Sequence, residues 1–141
     1  EYFSAVTGRQ VKADDLITMS ETVYNFQRIF NLRMGFGTRE HDRIPYRAVG
    51  PVTEAEYESR QERYDGQLVD TYDVDIDGKT TGEKVSILRK LREAQYEKLQ
   101  DAVYQRRGWT PNGVPTVETA KRLGIDFPEV LNVLESAGVS A

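Results

Sequence analysis

The run from Asp14 to Met34 carries apolar side chains at helical spacing, and it constrains the fold more than any other feature. These apolar residues occupy more than one helical face, which is typical of a helix packed on several sides: Leu16, Ile17, Met19, Val23, Tyr24, Phe26, Ile29, Phe30 and Leu32. Gly35 and Gly37 follow, where glycine commonly ends a helix. We therefore predict a central helix here.

Two capping-box patterns predict further helices. Thr53 with Glu56 opens a charged, exposed helix to about Tyr64, and Thr80 with Glu83 opens a long one to Arg106. The long helix is predicted to pack one stripe, namely Val85, Leu88, Leu91, Tyr96, Leu99, Ala102 and Val103. Its opposite side is predicted to be solvated, namely Arg89, Lys90, Glu93, Glu97, Lys98 and Asp101.

Two short helices are predicted near the end of the sequence. Thr116 caps one that reaches about Leu123, and Asp126 with Glu129 opens another to about Ala137. We find no convincing strand and no internal repeat. The prediction is an all-α fold, an irregular multi-helix domain of about five helices. The length of 141 residues favours one domain over 1–141, and the start at Glu1 within helix-forming sequence predicts further protein upstream.

The sequence contains no cysteine, and His41 is its single histidine. A disulfide framework, a thiolate nucleophile, a cysteine-rich zinc site and a cysteine-held iron–sulfur cluster are therefore excluded within this chain. A histidine-based metal site or catalytic triad would have to be built on His41 alone. We predict no catalytic residue and no metal ligand in this chain by itself.

Charge and hydropathy argue against nucleic-acid binding and against a membrane-spanning segment. There are 23 acidic and 19 basic residues, and the aromatic residues form no basic stripe, so we expect no nucleic-acid binding. No apolar run approaches the roughly 20 residues that span a bilayer. The first ten residues, EYFSAVTGRQ, lack the pattern of a signal peptide. We expect a cytoplasmic protein without a membrane span.

The DVDIDG run of residues 73–78 matches the opening of a calcium loop, in which alternate carboxylates converge on the ion. The loop's bidentate glutamate belongs at the position of Lys84, and Glu83 falls one residue short. The sequence therefore favours a solvated acidic turn over a calcium site.

Three other groups of residues each allow a functional and a structural interpretation. His41, between Glu40 and Asp42, is a proton carrier or a surface histidine. Trp109 stacks on a ligand or pins a turn to a core. A set of arginines either clamps a phosphate or carboxylate, or pairs with Glu21, Glu40 and Asp42 or with acidic residues elsewhere in a larger protein: Arg28, Arg33, Arg39, Arg43 and Arg47.

Several segments together resemble a known enzyme family. They are AVTG at residues 5–8, NLRMGF at 31–36, TREHD at 38–42, and RGWTPNGVPT at 107–116. In this order they are similar to the C-terminal helical region of the tungsten-dependent aldehyde:ferredoxin oxidoreductases. The run ILRKLREAQYEKLQDAVYQRRGW looks more like the bacterial branch, which includes the tungsten subunits of class II benzoyl-coenzyme A reductases.

The resemblance implies the C-terminal part of a larger enzyme that oxidises aldehydes to carboxylic acids and passes electrons to ferredoxin or an iron–sulfur subunit. The parent would carry tungsten on two pyranopterins and a [4Fe-4S] cluster, whose ligands the resemblance places upstream of this chain. Asn31, Arg33 and Phe36 would line the cofactor cavity, and Phe26, Phe30, Phe36, Tyr96 and Trp109 would be core. The implied partners are the remainder of the parent chain and the electron-transfer protein, with a second copy of the chain as a further candidate. The alternatives are a benzoyl-CoA-reductase-type subunit and a non-catalytic helical interaction domain.

Overall fold

The computed structural model describes residues 1–139, and these fold into α-helices joined by turns, without a strand. The all-α prediction is confirmed. Seven α-helices are present in the described residues where about five were predicted. They are α1 (Tyr2–Thr7), α2 (Ala13–Arg33), α3 (Glu54–Glu58), α4 (Gln61–Gly66), α5 (Thr81–Arg107), α6 (Val117–Arg122) and α7 (Pro128–Ser136).

The described residues form two compact units. The first contains residues 1–42 and 103–139, and the second contains residues 43–102. In the first unit, α2 packs against α7. Its core consists of Ile29, Val114, Val117, Ala120, Leu123, Ile125, Val130 and Leu134. Burying each of the larger aliphatic side chains contributes about 1.5–3 kcal/mol.

The second unit is built on the N-terminal part of α5. Its core consists of Tyr57, Tyr64, Leu68, Val85 and Leu88, and the rings of Tyr57 and Tyr64 lie 5.2 Å apart. Where one helix to Tyr64 was predicted, the chain forms α3 and α4, and a π-helical turn over Gln67–Thr71 follows directly. The Glu56 carboxylate accepts from the N–H of Val52 instead of Thr53, so this capping box is incomplete.

The capping box at the start of α5 is confirmed. The Thr80 N–H donates to Oε2 of Glu83 at 2.8 Å, and the Glu83 N–H donates to Oγ1 of Thr80 at 3.3 Å. Thr116 caps α6 in the same way through the N–H of Thr119. The predicted cap at Asp126 is wrong because α7 begins two residues later, with Phe127 at its N-cap and Pro128 in its first turn.

The predicted solvent side of α5 is wrong at Arg89. This guanidinium is buried and donates to the carbonyl oxygens of Tyr46, Gly50 and Pro51. The predicted packing stripe fails at its far end, where Leu99 and Val103 are exposed. Periodicity missed Arg89 because a buried guanidinium is stabilised by its hydrogen-bond acceptors and not by apolar character.

The aromatic side chains of α2 and of the turn after it do not form the predicted core. Phe26, Phe30 and Phe36 are exposed by 43%, 54% and 60%, and the buried residues of α2 are Asn25, Arg28 and Ile29. Tyr96 is only half-buried, whereas Trp109 is buried as predicted. The apolar residues of α2 surround the helix, but the described residues cover one face of it. None of the described helices is long and apolar enough to cross a membrane.

Candidate functional site

The turn after α5 brings a tryptophan back into the first unit. Gly108 has a φ of 67°, and Trp109 forms an isolated antiparallel bridge with Pro115. The Gly108 carbonyl oxygen accepts from the Thr119 hydroxyl at 2.8 Å, which ties this turn to α6. The RGW segment is therefore held by backbone geometry and by one buried threonine.

Trp109 is a packing residue in this structure. Its indole Nε1–H donates to Oδ1 of Asn25 at 2.7 Å, and its ring stacks against Tyr24 at 5.9 Å. The guanidinium of Arg107 lies 4.0 Å from the centre of the Tyr24 ring and 5.5 Å from that of Trp109. Because its donor is satisfied and its faces are covered, Trp109 pins the turn to α2.

A charged cluster joins α2, the turn at Arg39–Asp42, and the end of α5. The two terminal nitrogens of Arg28 donate to the two carboxylate oxygens of Asp42, and its Nε donates to the carbonyl oxygen of Gly113 at 3.0 Å. The Tyr104 hydroxyl donates to Oδ2 of Asp42 at 2.6 Å. Such a bidentate pair has fixed geometry, so this cluster sets the position of the chain that follows α2.

Acid should weaken this cluster. Hydrogen bonds from Arg28 hold the pKa of Asp42 below its ordinary value, the Tyr104 hydroxyl acts in the same direction, and burial opposes them. A lowered folded-state pKa stabilises the protein above the ordinary carboxyl pKa of about 4, and this stabilisation is lost as pH falls through the folded-state value. We measure unfolding in urea by Trp109 fluorescence. We expect the urea concentration at the midpoint of unfolding to decrease as the pH is lowered below about 4.

The variant Asp42→Asn should be less stable at neutral pH and should show a flatter dependence on pH in this range. Glu21, whose pKa is lowered by its hydrogen bond from Arg122, also contributes to acid sensitivity. The control variant Glu21→Gln should therefore still lose stability at acid pH, by the amount that Asp42 contributes. An unchanged pH profile for Asp42→Asn would show that the Arg28 pair does not carry the effect.

A cavity of about 510 Å³ lies beside the C-terminal end of α2. Its lining combines one guanidinium, one carboxylate, an amide and hydroxyls with apolar side chains: Leu32, Arg33, Gly35, Phe36, Thr38, Glu129, Asn132, Val133, Ser136 and Ala137. This size and this mixture suit a small organic ligand with a polar group.

Two of the three predicted cofactor-binding residues, Arg33 and Phe36, line this cavity. Asn31 does not. Its carbonyl oxygen accepts from the N–H groups of Met34 and Phe36, so it helps to end the helix. The role of all three in cofactor binding stays a prediction.

The residues on the α7 side of the cavity were not predicted from the sequence. Its lining residues are Glu129, Asn132, Val133, Ser136 and Ala137. They recur at spacings of three, four, seven and eight residues from the first, which is one helical face. That face was visible in the sequence, but its partner on α2 was not.

The five arginines considered for an anion clamp do not act as one site. Arg28 pairs with Asp42, Arg39 donates to the carbonyl oxygen of Pro111, and Arg47 pairs with Glu56. Arg33 lines the α2 cavity, and Arg43 lies in the second unit. Arg28 thus pairs with a predicted partner, whereas the partner of Arg47, Glu56, was not among those predicted.

His41 is exposed. Its Nδ1 lies 2.8 Å from the Thr38 hydroxyl, and its ring meets the Phe36 ring edge-on at 5.4 Å. These contacts place it in the turn that follows α2, where it fixes local conformation.

The acidic run at residues 73–78 has the geometry of a turn. Asp73 has a φ of 53°, and Oδ1 of Asp75 accepts from the N–H of Asp77 at 3.0 Å. Lys84 lies in α5 and pairs with Asp65 at 3.1 Å, where a calcium loop requires a carboxylate. Within residues 1–139, no three acidic or histidine side chains come together as a metal site.

Comparison with known proteins yields one match. A family model described as "Aldehyde ferredoxin oxidoreductase, domains 2 & 3" matches residues 1–125, which include the α2 segment, the Arg28–Asp42 cluster and the RGW turn. No curated protein and no solved structure is significantly similar to the chain.

Proposed function

Because the chain belongs to the aldehyde ferredoxin oxidoreductase family, we propose that it forms the C-terminal helical part of a tungsten-dependent oxidoreductase. In this proposal the parent enzyme oxidises aldehydes to carboxylic acids and passes the electrons to ferredoxin or to an iron–sulfur subunit. Tungsten on pyranopterins and a [4Fe-4S] cluster supply the redox chemistry in the parent. The chain described here supplies part of the surrounding protein.

The observation that carries the proposal is the extent of the match, which covers both segments that meet in the first unit. The segment at residues 25–42 and the segment at residues 104–116 are far apart in sequence. They meet in the structure, where the Trp109 indole donates a hydrogen bond to Asn25 and the Tyr104 hydroxyl donates one to Asp42. The family pattern therefore corresponds to one packed substructure.

The residues present do not fit an iron–sulfur cluster, since the chain has no cysteine to supply thiolate ligands. Any such cluster is held by another part of the parent. What this chain offers is a rigid helical wall that excludes water and orients a cofactor held elsewhere. The proposal assigns the redox step to that other part of the parent.

The exposed apolar residues of α2 and of the turn that follows it are the surface on which we place the remainder of the parent enzyme. Phe26, Phe30, Met34 and Phe36 are each more than two-fifths exposed. Contiguous apolar surface of this kind usually marks a contact with another protein surface. Packing there would also turn the α2 cavity from an open groove into an enclosed one.

Within the full-length parent, Arg33→Ala and Phe36→Ala are expected to lower kcat/KM for aldehyde oxidation about tenfold, because loss of a positioning contact misplaces the substrate or cofactor. The assay is aldehyde-dependent reduction of a one-electron dye under anaerobic conditions, with the carboxylic acid quantified.

Met34→Ala is the matched control. Met34 is as exposed as Phe36, at 60%, but it does not line the cavity. Equal losses in all three variants would show that the helix end matters only for packing. Reduction of an aromatic acyl thioester in place of aldehyde oxidation would assign the parent to the benzoyl-CoA-reductase type. Neither activity in intact, folded protein would favour the non-catalytic interaction domain.

A further inference from the structure

The second unit contains a polar cleft of about 400 Å³ lined by four arginines, Arg47, Arg60, Arg63 and Arg92. The remaining lining residues are Ala48, Gly50, Pro51, Val52, Glu56, Ser59 and Tyr64. This cleft has no part in the oxidoreductase function proposed above. Its composition is unusual because cations converge on a concave surface.

The single acidic residue of the cleft is already satisfied. One carboxylate oxygen of Glu56 accepts from Nη2 of Arg47 at 2.6 Å, and the other accepts from the N–H of Val52 at 2.7 Å. Glu56 therefore neutralises Arg47 and leaves three guanidinium groups without a carboxylate in the cleft.

Arg92 is held in place. Its Nη1 donates to the carbonyl oxygen of Val49 at 3.1 Å, its Nη2 donates to Oε1 of Gln67, and its guanidinium lies 5.3 Å from the centre of the Tyr64 ring. A Cβ at Gly50 would lie 2.8 Å from Nη1, so glycine leaves room for this group. Because this guanidinium group is already held in place, ligand binding does not cost the conformational entropy of ordering it.

Arg60 and Arg63 supply the remaining positive charge of the cleft. Both are exposed, and among residues 1–139 neither has an ion pair or a side-chain hydrogen bond. Guanidinium groups present a planar fork of donors that matches the oxygens of phosphate and carboxylate groups. The lining of the cleft therefore contains two such groups in addition to the fixed Arg92.

We propose that this cleft binds a small phosphate-bearing molecule through its phosphate or diphosphate group. Three uncompensated positive charges match the charge of one such group, and the volume is that of a small-molecule site. A fixed cation within a concave surface favours a small anion over the flat acidic surface of a protein. Inorganic pyrophosphate is the simplest probe of this chemistry.

The test is calorimetric titration of the 141-residue chain with pyrophosphate, in wild type and in Arg60→Gln/Arg63→Gln. We expect saturable binding of one anion per chain, weakened about tenfold or more in the double variant because two charge-assisted contacts are lost. Both side chains are exposed, so circular dichroism should show unchanged folding.

The matched control is Lys98→Gln/Lys121→Gln, which removes the same charge from exposed positions outside the cleft. Its affinity should stay within about twofold of wild type. Equal weakening in both double variants, or no saturable binding by wild type, would overturn the proposal. Tighter binding of a glutamate-rich peptide than of pyrophosphate would also overturn it and assign the cleft to an acidic protein partner.

Discussion

Replacing Arg28 with alanine is expected to lower the free energy of unfolding by about 3 kcal/mol, the lower end of the range for removing one partner of a buried ion pair. The Arg28 side chain is 10% exposed, and that of Asp42 is 31% exposed. The variant removes the bidentate Arg28 pair from the Asp42 carboxylate, to which Tyr104 still donates, and it removes the Nε donor from the Gly113 carbonyl oxygen. The buried polar groups then lose more than the contact energy itself.

Trp109 is the only tryptophan, so urea unfolding followed by its fluorescence reports on the first unit. Arg122→Ala is the control. Its ion pair with Glu21 lies in the same unit but is more exposed, at 52% for the Arg122 side chain, and should be worth less than about 1 kcal/mol. Similar losses in the two variants would show that the Arg28 cluster is no more important than a surface ion pair.

Gly113→Ala is expected to destabilise the first unit by about 3 kcal/mol, through a positive backbone angle and a steric clash. Gly113 has a φ of 77°. A Cβ there would lie 2.6 Å from Nη2 of Arg28 and 2.8 Å from Cζ of Tyr104. The added methyl group must therefore displace the two side chains that hold Asp42.

Gly35→Ala separates the two contributions. Gly35 has a similar φ of 83°, but a Cβ there meets nothing within 4 Å. It should cost only the conformational penalty of about 1 kcal/mol. If both alanine variants lose equal stability in urea unfolding, the close approach of Arg28 and Tyr104 to Gly113 is not important.

Local signals in the sequence predicted the helices well. Thr80, Glu83 and Thr116 are close in sequence to the backbone groups that they cap, so their pattern was sufficient. The division of the predicted helix at residues 53–64 depends on Tyr57 and Tyr64 packing together in the core, which no local pattern encodes.

The site was only partly predictable. The family pattern predicted that Arg33 and Phe36 line a cofactor cavity, and this role stays a prediction. The α7 wall of the cavity that they line depends on how α2 and α7 pack. The error at Phe26 and Phe30 has a different cause. Apolar residues around a helix predict burial, but they do not say whether the covering surface belongs to the same part of the protein. The arginine cleft was missed because Arg60 and Arg63 lie at the N-terminal end of α4, whereas Arg92 lies on α5.

The metal content of the parent protein tests the proposal that this chain belongs to a tungsten and iron–sulfur enzyme. The most direct measurement is elemental analysis by plasma mass spectrometry of the full-length parent, purified without oxygen from its own source. We predict about one tungsten and about four iron atoms per polypeptide, as one mononuclear centre and one [4Fe-4S] cluster require. Intact, folded protein with no tungsten, molybdenum or iron would show that the parent is not a tungsten and iron–sulfur enzyme.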